Sequence, residues 1–214
     1  DIQLDANCLS VRRDAGNVVV GLDCAAGARE VGGSHLLLAV GRVPNTDDLG
    51  LDRAGVETDA RGYIKVDEQL RTSVPNIWAL GDCNGRGAFT HTSYNDYEIV
   101  AANLLDNDAR KVSDRISAYA MFIDPPLGRA GMTQAEAMQS GRKLLVGTRP
   151  MTRVGRAVEK GESKGFMKVI VDAETELILG ASILGVTGDE VIHSLLDVMY
   201  AKAPYRTISR AMHI

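Results

Sequence analysis

The run Thr72-Ser73-Val74-Pro75-Asn76-Ile77-Trp78-Ala79-Leu80-Gly81-Asp82 decides the fold. Its apolar second half reads as a short strand, and Gly81-Asp82 ends it abruptly. A buried strand that stops at Gly-Asp puts one carboxylate at the carboxyl edge of a sheet, where open α/β sheets hold their ligands. The glycine lets the backbone approach a bulky group closely. The aspartate can accept hydrogen bonds from sugar-alcohol hydroxyls, and an ionised acceptor makes such bonds stronger. The competing reading is that Asp82 merely caps a turn, a common role for aspartate.

On the N-terminal side, residues 1–40 read as β-hairpins. Val18, Val19 and Val20 with Gly21 and Leu22 make a β-branched strand, and Gly32-Gly33 turns into the run 35–40. That run is apolar on both faces, as a buried strand of an open sheet would be, and it stops at Gly41-Arg42-Val43-Pro44-Asn45. Residues 62–66 and 76–80 read as a second pair of strands. A Gly-rich loop then leads to a helix over about 94–107, with Ile99, Val100, Ala102 and Leu104 at helical spacing.

From about Ser117 the character changes. Residues 119–123 predict a strand closed by Asp124-Pro125-Pro126, and Thr133-Gln134-Ala135-Glu136 is a capping box opening a short helix. Residues 143–146, 165–171 and 177–184 read as strands. Residues 186–201 read as an amphipathic helix broken by Pro204. The pattern predicts an α/β region followed by a separate α+β unit of antiparallel strands with helices on one side.

Composition narrows the partners. A net charge of −4 argues against nucleic acid or anionic lipid as the main partner, since binding either would favour a basic face. No apolar run approaches the length of a membrane span. Cys8, Cys24 and Cys83 are widely spaced and odd in number, forming neither a CxxC nor a zinc pattern. Free thiols in a reducing, cytoplasmic setting are the simplest expectation, with no metal site. The chain opens at Asp1 rather than Met, as a piece of a longer protein would.

Three blocks together carry a resemblance. Residues 72–82 resemble the second flavin fingerprint of the flavoproteins with two dinucleotide-binding domains. Ala39-Val40-Gly41-Arg42-Val43-Pro44-Asn45-Thr46 resembles their crossover from the NAD(P) domain back to the FAD domain. Asp124-Pro125-Pro126-Leu127-Gly128-Arg129-Ala130-Gly131-Met132-Thr133, with Glu136-Ala137, looks like the opening of the interface domain of the pyridine nucleotide-disulfide oxidoreductases of class I. Dihydrolipoamide dehydrogenase, glutathione reductase and mercuric reductase belong to that class. The order and spacing of the blocks fit it over nearly the whole chain.

The resemblance implies a C-terminal portion of an FAD-dependent, NAD(P)H-oxidising enzyme. Residues 1–40 would be a remnant of the NAD(P)-binding domain, 41–115 the C-terminal part of a Rossmann-like FAD-binding domain, and 116–214 an antiparallel-sheet dimerisation domain. It places Gly41 near the nicotinamide cofactor, Gly81 and Asp82 at the ribityl chain of FAD, and Thr90, His91 and Thr92 at the isoalloxazine, largely through backbone. A helix start offers unpaired N–H groups and a positive dipole end suited to an electron-rich pyrimidine edge. An exposed loop histidine with no ligand is the alternative for His91.

Other residues earn less. Cys83 follows Asp82 without a partner cysteine, and a small buried thiol is its default role. His193 reads as a packing or interface residue. Ser209-Arg210-Ala211-Met212-His213-Ile214 resembles the approach to the family's His-x-His-Pro motif, whose second histidine is the acid/base residue. His213 matches the first histidine, so no catalytic residue falls within the chain, and the expected histidine lies just beyond Ile214. The Gly-x-Gly-x-x-Gly for the FAD pyrophosphate and the CxxxxC disulfide are also missing.

Two functions stay open: an oxidoreductase acting on a disulfide or related small oxidised substrate, and a dimerising fragment that lacks cofactor and catalyses nothing. A ferredoxin-reductase or peroxide-reductase type shares the Gly-Asp strand but lacks the Pro-Pro opening. The sequence Phe89-Thr90-His91-Thr92-Ser93-Tyr94 departs from the Ala-His-Lys pattern of dihydrolipoamide dehydrogenases. That favours a mercuric-reductase-like or uncharacterised member over a lipoamide enzyme.

Overall fold

The computed structural model describes residues 2, 6, 8–24 and 27–213. Three strands open it as an antiparallel meander: β1 (Cys8–Asp14), β2 (Asn17–Cys24) and β3 (Gly27–Gly33). Ala15 and Gly16 join β1 to β2 with φ of 48° and 89°. Two consecutive positive φ values make the tight turn whose twist suits a hairpin.

The run 35–40 is not a strand. Leu37, Leu38 and Val40 are 87%, 68% and 81% exposed. The apolar pattern predicts burial between sheet neighbours, and no described strand pairs with this run, so its side chains stay open to solvent. The strands predicted at 62–66 and 76–80 are likewise reduced to single bridges, Thr58 with Ile64 and Arg71 with Trp78. Their apolar side chains are nevertheless used. Val56, Ile64 and Ala79 form a small core against Leu51, Val66, Val74 and Cys83. The molecule is an α/β fold whose named sheets are both antiparallel, and no parallel pairing of the Rossmann kind occurs among the described residues.

After the single turn α1 (Leu51–Ala54) comes α2 (Thr90–Ala101), which begins four residues before the predicted start. It runs on as a π-helical turn, Ala102–Asp106, and closes at Asn107 with φ 52°. The second sheet contains β4 (Ala118–Met121), β5 (Leu127–Gly131), β6 (Leu144–Pro150), β7 (Phe166–Asp172) and β8 (Ile178–Leu184), in the order β4-β5-β8-β7-β6. The sequence pattern marks only a strand end at Asp124-Pro125-Pro126, and the structure adds strand β5 directly after it. Gly128 is there for contact: a Cβ on it would lie 2.2 Å from the Gly188 carbonyl oxygen and 2.9 Å from Ile192.

The helices here are α3 (Gln134–Gln139), α4 (Gly155–Glu159), α5 (Gly188–Tyr200) and α6 (Arg206–Ser209). The capping box is present, with Thr133 Oγ1 accepting from the Glu136 N–H and Glu136 accepting from the Thr133 N–H. Helix α5 lies over β5 and β8, with Ile192 seated among Ala130, Ala181, Ile183 and Met151. No helix among the described residues is long and apolar enough to cross a membrane.

Candidate functional site

The Gly-Asp turn is built from beneath by α2. Leu80 is extended, and the chain then makes one 3-10 turn, Gly81–Asn84, with Gly81 at φ 78°. A β-carbon at Gly81 would stand 2.7 Å from Ser93 Oγ, so glycine is required by backbone angle and by space together. The Gly81 N–H donates to Asp96 Oδ2 at 2.8 Å, and Asn84 Nδ2 donates to the same oxygen at 2.8 Å and to the Ala79 carbonyl at 3.0 Å. Asp96 is 1% exposed, and its other oxygen accepts from Arg115 Nη2, while Arg115 Nε donates to Asn95 at 2.9 Å. One buried carboxylate thus joins the turn, α2 and the segment before β4.

Sequence reasoning missed Asp96 and Arg115. Their one legible signal is that Asp96 lies three positions before Ile99, on the face that the helix buries.

Above this base, the Asp82 carboxylate is half-exposed and accepts from Arg42 Nη1 at 2.9 Å. The same nitrogen donates to the Ala88 carbonyl at 2.8 Å, so Arg42 spans from the Gly41 loop to the Gly-rich loop. Gly41 has φ 110°, a value for glycine, and open space where a β-carbon would be. Arg42, Val43, Pro44, Tyr63, Asp82 and Cys83 line a cleft of about 430 Å³. Exposed ion pairs are worth ~1 kcal/mol or less, so Arg42 can give up Asp82 to a ligand at small cost. Burial, with the nearby Asp96 and Asp82 carboxylates, pushes the Cys83 thiol up, and its Sγ donates to the Leu80 carbonyl at 3.2 Å. A thiol kept protonated is a poor nucleophile.

Thr90, His91 and Thr92 form the first turn of α2, and no side chain caps it, since Phe89 occupies the cap position. Thr92 is buried against Gly87, where a β-carbon would come within 2.5 Å of its methyl. Thr90 faces outward. His91 is not a free loop side chain: its Nε2 lies 2.9 Å from the Ala118 carbonyl on β4, and its ring stacks on Phe89 at 5.1 Å. Phe89 stacks in turn on Tyr119. His193 is found here too, lining a cleft of about 360 Å³ with Phe89, His91, Tyr119, Asp189 and Glu190. The structure therefore brings Asp82 to one cleft with Arg42, next to Gly41, keeps Gly81 buried beneath it, and sets Thr90 and His91 at another. Cys8 and Cys24 belong to strands, and Cys24 pairs with Gly27 across β2 and β3. Among the described residues no group of three His, Cys, Asp or Glu could hold a metal ion.

Comparison with known proteins identifies the family. Residues 1–96 match the family model for pyridine nucleotide-disulphide oxidoreductase, and residues 117–214 match that for its dimerisation domain. The chain is 42% identical over 171 residues to the probable pyridine nucleotide-disulfide oxidoreductase RclA of Escherichia coli, covering 79% of this chain and 39% of that protein. It is 33% identical over 195 residues to dihydrolipoyl dehydrogenase of Bacillus subtilis, covering 91% and 41%. Among solved structures, the Cu(II) complex of the HOCl-induced flavoprotein disulfide reductase RclA from Escherichia coli superposes with a TM-score of 0.87 at 36% identity. That superposition covers 98% of this chain and 48% of that one. The chain thus spans less than half the length of these relatives. Its two matched segments, lying end to end along the chain, and its relatives agree that the chain belongs to the class I pyridine nucleotide-disulfide oxidoreductases.

Proposed function

We propose that the chain is the C-terminal part of an FAD-dependent enzyme that passes electrons from NAD(P)H to a disulfide or a related small oxidised substrate. Residues 1–40 would belong to its NAD(P)-binding domain, 41–115 to its FAD-binding domain, and 116–214 to the domain that joins two copies into a homodimer. The observation that carries this reading is Asp82: a half-exposed carboxylate on a turn that only glycine can make, opening onto a cleft of about 430 Å³.

The residues present fit parts of FAD. Asp82 would accept hydrogen bonds from ribityl hydroxyls, with Arg42 moving aside. Gly81 keeps the backbone low beneath them. The uncapped first turn of α2, Thr90 to Thr92, would present N–H groups to the pyrimidine edge, with His91 held by Ala118 rather than aimed at the ligand. Gly41 would leave room beside the nicotinamide. Bound FAD supplies the relay of reducing equivalents between the nicotinamide and the disulfide. Asp96 and Arg115 hold the turn against α2 so that the acceptor keeps its place. No residue of the chain takes a bond-making role in this scheme, and the acid/base histidine would follow His213. The odd, widely spaced cysteines suit a reducing, cytoplasmic setting.

The test is a visible spectrum of the full-length protein and of this chain. The full-length protein should show flavin bands that NAD(P)H bleaches, and the chain alone should be colourless or weakly loaded. A full-length protein without flavin bands overturns the reading and leaves a dimerising module.

A further inference from the structure

The turn between β7 and β8 is made by residues for which a plain hairpin has no need. Glu176 adopts φ 59°, a left-handed conformation in which glycine is the natural occupant. Its carboxylate takes the Arg206 guanidinium side-on, with Nε at 2.9 and 2.8 Å from the two oxygens and Nη2 at 2.7 Å. Its carbonyl accepts from the Tyr205 N–H at 2.9 Å, and the neighbouring Leu177 bridges to Pro204. The Arg206 guanidinium also lies 5.4 Å from the Tyr205 ring centre. An unfavoured backbone angle at a non-glycine residue points to a use for the side chain.

What the side chain holds is α6. This helix is a single turn with no buried residue, so packing does little to aim it. It delivers the chain to His213, whose Nε2 is 3.3 Å from the Ile208 carbonyl, at the rim of a cleft of about 590 Å³ that includes Arg149, Val191 and Leu195.

We propose that Glu176 is a positioning residue: by clamping Arg206 it fixes the start of α6 and so sets the course of residues 209–213 across that cleft. Its consequence for catalysis rests on the proposed function, in which the acid/base histidine follows His213. The clamp itself does not depend on that reading.

Glu176→Gly separates clamp from turn, since glycine keeps the positive φ and removes the carboxylate. Backbone amide exchange over residues 206–213 should rise about fivefold in this variant of the chain, with β7 and β8 unchanged and Tm held within about 2 °C. Arg206→Lys keeps the charge without the two-pronged fit and should give a smaller rise. Glu176→Gln, which keeps the side-chain size, should behave like Glu176→Gly. Unchanged exchange at 206–213 in both Glu176 variants overturns the proposal. In the full-length enzyme, Glu176→Gly should leave flavin reduction by NAD(P)H intact and slow turnover with a disulfide by about tenfold. Faster exchange without slower turnover would keep the clamp and count against the reading that a catalytic histidine follows His213.

Discussion

Asp96 does at residue scale what the exposed Asp82 cannot: it ties Gly81, Asn84 and Arg115 to one helix from inside. Removing one member of a buried charge pair leaves the other uncompensated, at a cost of about 3–5 kcal/mol. Asp96→Ala should therefore lower the denaturant midpoint strongly, whereas Asp82→Ala, at a half-exposed site, should leave it nearly unchanged. Gly81→Ala combines a disfavoured φ with a contact of 2.7 Å to Ser93, and should destabilise by about 1–3 kcal/mol in the same measurement. Gly81 and Asp82 were legible because an apolar run that breaks at Gly-Asp is a local signal. The Asp96–Arg115 pair was not, because Arg115 lies 19 positions from Asp96 and nothing local pairs them.

Among the elements, those whose pattern is self-contained were legible. The capping box at Thr133 and the apolar stripe of α5 predict helices that the structure contains, and the strand runs after residue 143 correspond to β6, β7 and β8. Where an element needs partners from elsewhere, the pattern misleads. The runs 35–40, 62–66 and 76–80 are apolar enough for strands yet find no ladder among the described residues. Strand β5 is the reverse case, since the sequence pattern marks only a strand end before it, and Gly128 is explained once α5 is seen against it.

Ile192 is buried where α5 meets β5 and β8, so Ile192→Ala should cost about 2–5 kcal/mol and lower Tm by roughly 5–15 °C. Asp172 ends β7 with its carboxylate accepting from the Glu174 N–H at 2.9 Å, from Arg142 at 2.7 Å and from the Thr175 N–H at 3.2 Å. These bonds hold its pKa below the ordinary carboxylate value. The unfolded chain binds the proton first as pH falls, so this stabilisation is complete above the ordinary value and is lost through the lowered one. Asp172→Asn should lower Tm at neutral pH and flatten the acid limb of a Tm-against-pH curve. An unchanged acid limb would mean that Asp172 does not contribute to the acid lability of the fold.

At the scale of the whole molecule, the two matched segments divide the work. One carries the Gly81-Asp82 turn and the first residues of α2, and the other matches a dimerisation domain with its sheet and helices. Sedimentation of the chain should give twice the monomer mass, and a monomer at micromolar concentration would count against pairing through residues 116–214. If Asp82 belongs to a flavin site, titration of FAD into full-length apoprotein should register its loss. Asp82→Ala, set against wild type, should weaken FAD binding by at least about tenfold, the loss expected for hydrogen bonds to a charged acceptor. Equal affinity in the two proteins would contradict the assignment of Asp82 to the flavin.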